Sequence, residues 1–283
     1  MKLKFILPVI VFALFMTSCS SDDDNTSDII DEIGDLKKIQ DIETDGYTLE
    51  LYNAAGKFET GYNDVTVRIK DESTDMYIEN YTITSWMPKM DMGTMEHACP
   101  HSNFENTENT NTLKHAMVIY QMTFEDGSGW SLDFDIMIND ISYNLSSPIT
   151  VTQSELKNVT TFTGADETKY ILAYIAPQDP IIGSNDLNLG LYKMESMMSF
   201  PIVKDYSITL DPRMPSMGNH SSPNNEDLTY TSDNMMYQGK LNLTMSGYWV
   251  LNLQLYDTFG NLLKGETITD DHEESSLNLE IEF

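Results

Sequence analysis

Cysteine, basic side chains and long apolar runs are all scarce in this chain of 283 residues. Its two cysteines, Cys19 and Cys99, rule out the dense disulfide framework of a small secreted domain. Sixteen Lys and Arg stand against 45 Asp and Glu, a net charge of −29. Such a field repels phosphate backbones and attracts cations, which excludes nucleic acid as a partner. The apolar stretch Phe5 to Phe15 is too short for a membrane-spanning helix. There is no Gly-x-Ser-x-Gly elbow, His-Glu-x-x-His pair, P-loop or dinucleotide fingerprint, and the chain reads as a non-enzyme. A helical stripe is missing too. Val65, Val67 and Ile69 alternate with polar neighbours, as do Leu132, Phe134, Ile136 and Ile138, and then Leu251, Leu253 and Leu255. That period of two belongs to half-buried strands.

At the start, Lys2 and Lys4 precede the apolar run, which ends at Met16-Thr17-Ser18-Cys19. This order fits a cleaved signal peptide over 1–18, and its end resembles the lipobox of bacterial lipoproteins. Acylation of Cys19 is then expected to anchor the chain to a lipid bilayer without spanning it. The acidic run after Cys19, Ser20 to Asn25, cannot pack and opens a tether over 19–44. It is similar to the signal that sends Bacteroidetes-type lipoproteins to the outer face of the outer membrane, with a periplasm-facing location as the alternative. With Cys19 acylated, Cys99 has no partner for a disulfide in an oxidising compartment. It is then either a small buried residue or a reactive or metal-binding thiol.

Internal repetition organises the rest. Gly61-Tyr-Asn-Asp-Val-Thr-Val recurs as Gly183-Ser-Asn-Asp-Leu-Asn-Leu, and Trp86-Met-Pro-Lys-Met90 as Arg213-Met-Pro-Ser-Met217. His97-Ala-Cys-Pro100 recurs as His220-Ser-Ser-Pro223, and Gly129-Trp-Ser-Leu as Tyr248-Trp-Val-Leu. Four matches in the same order indicate a tandem duplication, with repeat one over 45–164 and repeat two over 165–283. Several short strands per repeat predict an all-β chain of two tandem immunoglobulin-like β-sandwiches.

The residues that invite chemistry cluster in repeat one: Met87, Met90, Met92, Met95, His97, Cys99 and His101. Met is mixed here with Pro, Lys, Asp, Gly and Glu, a pattern that predicts a loop. Thioether, thiolate and imidazole are the donor set that selects copper, Cu(I) above Cu(II). A thioether also needs no deprotonation before it binds. Repeat two keeps a reduced set, Met214, Met217 and His220. Sliding the repeats together without gaps places His115 opposite Met236, both soft ligands. Against this, Met also serves as a flexible core filler, and the usual blue-copper spacing is absent. No segment matches an Asp-x-Asp-x-Asp-Gly calcium loop.

The Gly-x-Asn strand start, Met-Pro-x-Met segment, His-x-x-Pro turn and late Trp strand resemble the YtkA-like (FixH-like) domain, twice over. The resemblance implies exported immunoglobulin-like sandwiches concerned with copper or heavy-metal handling, and it carries over onto Met87, Met90 and His97, then Met214, Met217 and His220. The expectation is a lipoprotein that sequesters copper or passes it to a partner such as a metal exporter, receptor or other outer-membrane protein. The alternative is a non-catalytic surface module that binds a nutrient, polymer or partner protein with no metal role.

Overall fold

Alternation along the chain becomes strand nearly everywhere. A computed structural model describes residues 32–283, so the expected signal peptide, Cys19 and most of the tether lie outside the described residues. Strands β1 (Lys37–Thr44), β2 (Tyr47–Asn53), β3 (Phe58–Glu59), β4 (Gly61–Asp71), β5 (Met76–Tyr77) and β6 (Tyr81–Asp91) come first. They are followed by β7 (Glu96–Ala98), β8 (Glu105–Asn106), β9 (Lys114–Tyr120), β10 (Trp130–Ile138), β11 (Ile141–Ile149) and β12 (Val151–Thr152). The second half, which starts ahead of the expected boundary at residue 165, supplies β13 (Val159–Thr163), β14 (Lys169–Ala176), β15 (Gly183–Lys193), β16 (Ser207–Met214) and β17 (His220–Ser221). It closes with β18 (Glu226–Thr231), β19 (Met236–Leu243), β20 (Tyr248–Tyr256), β21 (Leu262–Lys264) and β22 (Asn278–Glu282). Helix is confined, among the described residues, to a 3-10 turn at Pro215–Met217. The described residues are all-β, as their alternation predicts.

In the first half one sheet runs β1-β2-β4-β9-β8 and a second runs β11-β10-β6-β7. Leu49, Val65 and Val67 from one and Trp86, Leu132 and Phe134 from the other share a single buried core, the arrangement of a sandwich. In the second half β18 pairs with both β19 and β16, so one ten-stranded sheet wraps around its own core. The corresponding β8 is only two residues long and pairs with β9 alone, which leaves the two main sheets of the first half separate, beside a small parallel pair of β3 and β12. β1 falls inside the 19–44 stretch and pairs along its length with β2, while β13, before residue 164, pairs with β14.

Matching side chains hold matching places. Asn63 accepts from the Glu59 amide and donates to the carbonyls of Glu59 and Gly61, at 3.1, 2.7 and 3.0 Å. Asn185 repeats this with Ile181 and Gly183, at 2.9, 2.8 and 3.1 Å. Each Asn thus satisfies backbone groups at the entry of a long strand, which left bare would cost about 1–3 kcal/mol each. Trp130 and Trp249 are both buried, and their indole N–H groups donate to the carbonyls of Met122 and Met245.

The halves meet through Ile119, Ile171, Ala173 and Tyr192, flanked by Tyr62, Met117, Phe200 and Ile202. Ala98 of β7 also donates its amide to the Met197 carbonyl at 2.8 Å, so a turn of repeat two caps the edge of a repeat-one sheet.

Candidate metal centre

The methionine-rich segment is largely strand, not loop. Along β6, Trp86, Pro88 and Met90 point into the core while Met87 and Lys89 face outward, and Lys89 pairs with Asp133 of β10. The same alternation seen elsewhere was present here, masked by polar residues on the outward positions. Met87 and Met90 therefore lie on opposite faces.

Register brings one pair together. Met90 lies opposite His97 on β7 and opposite Trp130 on β10. Directly opposed residues in antiparallel strands share a face, with Cβ atoms about 4.5–5.5 Å apart. Met90 is fully buried and its terminal methyl sits over Gly129, where a Cβ would lie 3.4 Å from it. Gly129 has φ +95, and a Cβ there would also come within 2.6 Å of the Phe124 ring, so both its backbone and that ring call for glycine.

His97 is only 5 % exposed. Its Nδ1 lies 2.9 Å from the Ala98 carbonyl. A carbonyl can only accept, so Nδ1 carries the proton and Nε2 presents a bare lone pair. That Nε2 is buried and has no hydrogen-bond partner among the described residues. Leaving such an atom dry costs about 1–3 kcal/mol, and imidazoles that ligate metals are commonly oriented by this kind of N–H to carbonyl bond. The ring stands edge-on to Trp130, with centroids 5.4 Å apart. The Tyr120 hydroxyl is likewise buried without a partner among the described residues, and its ring packs 4.8 Å from that of Trp130.

The other sequence candidates go elsewhere. Cys99 is a core residue, and burial pushes its thiol well above the usual range, so it stays protonated. Metals and electrophiles need the thiolate. Its counterpart Ser222 is also buried and donates to the Asn242 carbonyl, which makes this a packing position. Burial pulls the His101 imidazole below its ordinary range against the opposing pull of the Cys99 and Trp86 carbonyls, and Nδ1 bonds the Cys99 carbonyl at 2.8 Å. Its ring is edge-on to Trp86 rather than beside His97. Met92 and Met95 close the β6–β7 hairpin through a 3.0 Å backbone bond and are 40 % and 51 % exposed.

In repeat two the register pairs Met214, not Met217, with His220. Pro88 lies opposite Leu132 and Pro212 opposite Leu251, so Pro88-Lys-Met90 corresponds to Pro212-Arg-Met214. The terminal methyl of Met214 likewise lies 3.4 Å from where a Gly247 Cβ would stand. Met217 ends the 3-10 turn, exposed, and His220 is exposed where His97 is buried. Val118 lies opposite Asn63 and Leu241 opposite Asn185. His115 therefore corresponds to Gln238 and not to Met236. Even so His101, His115 and Met236 meet, lining a cavity of about 480 Å³ where the repeats join.

No group of three or more His, Cys, Asp or Glu residues spaced for a metal ion occurs among the described residues. A centre here would depend on thioethers. Sequence reasoning missed Trp130 and Gly129 as neighbours of the Met–His pair, although the late Gly-Trp match was visible. No protein-family model matches the chain, and no curated protein matches it either.

Proposed function

We propose that the chain is a membrane-anchored lipoprotein that binds a soft metal ion, Cu(I) in the first instance, through Met90 and His97 of repeat one. One observation carries this reading: a buried imidazole nitrogen with a bare lone pair beside a buried thioether. Nitrogen and thioether together favour a soft monovalent ion over Mg²⁺ or Ca²⁺, which want oxygen. Neither donor has a proton to lose in this tautomer, so binding displaces none. Met92 and Met95, at the exposed tip of the same hairpin, offer thioethers to an arriving ion. The acidic surface raises the local concentration of cations.

Within this proposal Cys19 is the acylated anchor, the location is the outer membrane, and membership of the YtkA-like family remains an inference from the motifs. The metal is cargo, sequestered or handed to a membrane partner.

The test is an anaerobic Cu(I) titration of the full chain against a chromogenic chelator, repeated with Met90→Leu and with His97→Asn. Tight binding that either change weakens at least a hundredfold supports the assignment. Failure of the unchanged protein to compete, or indifference to both changes, would falsify it.

A further inference from the structure

The cavity between the repeats is built from chemistry that the Met–His pair does not use. On one side stand Asp64 and Glu105, and among the described residues no Lys or Arg lines the cavity. Neither carboxylate has a basic partner among the described residues. The Tyr62 hydroxyl donates to Asp64 at 2.5 Å and fixes where that charge points. On the other side the wall is apolar and aromatic, with Met117, Phe200 and Tyr192. Tyr192 is 5 % exposed, yet its hydroxyl has no hydrogen-bond partner among the described residues.

A buried tyrosine with an open hydroxyl, two unpaired carboxylates and aromatic faces in one cavity of about 480 Å³ make a complementary surface for a particular kind of molecule. Aromatic faces attract cations, more strongly as the site is desolvated. Clefts between packed domains are common places for small ligands. We infer that this cavity is a binding site for a small organic cation, a positively charged nitrogen carried on an apolar body. Asp64 and Glu105 face the charge while Tyr62, Tyr192 and Phe200 cover the body. The site exists only when both repeats are present, since Asp64, Glu105 and Met117 come from one and Tyr192 and Phe200 from the other.

The probe is benzyltrimethylammonium, titrated calorimetrically into the full chain with a metal chelator present, and benzoate is the control of opposite charge. The expected result is saturable one-to-one binding of the cation, with benzoate bound at least tenfold more weakly. Asp64→Asn combined with Glu105→Gln should weaken the cation at least tenfold. Both side chains are at the surface, and an unchanged melting temperature would show that folding is intact. Met90→Leu with His97→Asn should leave the titration unaltered, so this site and the metal site stand or fall separately. No saturable uptake of the cation, equal uptake of benzoate, or full binding by the double carboxamide variant would each overturn the inference.

Discussion

Repeat one and repeat two place the same Met–His pair at the same cross-strand position, and only repeat one buries it. His97 is enclosed, whereas His220 is exposed on a two-residue strand. The difference begins outside the pair. β7 is capped by the Met197 turn of repeat two, whereas among the described residues β17 pairs with β16 alone. A second contrast lies on the equivalent outward faces. Glu50 lies opposite Arg68 in repeat one, and Ala173 lies opposite Gly190 at the matching positions of repeat two. The first face carries an ion cluster of Glu50, Arg68 and Lys38, with Tyr52 bonded into it. The second is small and apolar because it lies in the junction. One strand pattern serves two environments, and what surrounds each copy selects the side chains.

The largest test of that contrast exchanges the environments. Ala173→Glu would set a carboxylate into the fully buried junction without a base to meet it. It should lower stability by about 3–5 kcal/mol, the range for an uncompensated buried charge, read from the shift in a denaturant midpoint. If the variant is as stable as the parent, the junction is looser than described.

Next comes metal affinity. Met90→Leu conserves volume and should cost less than about 1.5 kcal/mol of stability, while Cu(I) affinity falls at least a hundredfold. Met214→Leu in repeat two should change affinity less than tenfold, because its His220 partner is in water. Equal losses in the two repeats would erase the functional distinction between them.

Acid separates the outward faces more gently. Burial works to raise the Glu50 carboxyl, but bonds from Lys38, Tyr52 and Arg68 hold it down at about 2. A depressed carboxyl stabilises the fold above its unfolded value near 4.5 and loses that contribution as pH falls towards 2. Glu50→Gln should therefore flatten the decline in stability between about pH 4.5 and 2, followed by chemical denaturation across that window. Smallest of all, Met92→Leu with Met95→Leu should reduce Cu(I) affinity by less than tenfold and leave the melting temperature within about 2 °C, since surface changes are usually within about 0.5 kcal/mol.

The strands were legible because Val65, Val67 and Ile69, or Leu132, Phe134 and Ile136, alternate without interruption. The segment from Met87 to Asp91 misled because Lys89 and Asp91 occupy its outward positions and Pro88 lies inside it. Proline is unusual within a sheet, so a buried strand looked improbable there. The repeats were visible as motifs, but their register was not. Met-Pro occurs at Met87 and again at Met214 for different reasons, first within a strand and then where Pro215 begins a 3-10 turn. Hydrogen-bond register, which sequence does not display, shifts the match by three residues, so that Met90 answers to Met214. His97 could be named from sequence, but its bare nitrogen could not, since that depends on which way the ring turns towards Ala98.

The single bond from Ala98 to Met197 has a consequence for how such a chain comes to fold. An uncovered sheet edge invites pairing with any passing strand, and β7 leaves the ribosome long before the residues that cover it. Until repeat two arrives, repeat one is an unfinished surface with a ready template for self-association. The second copy thus closes an edge that the first leaves open, and a chain cut between residues 153 and 159 should gather into oligomers rather than persist as a monomer.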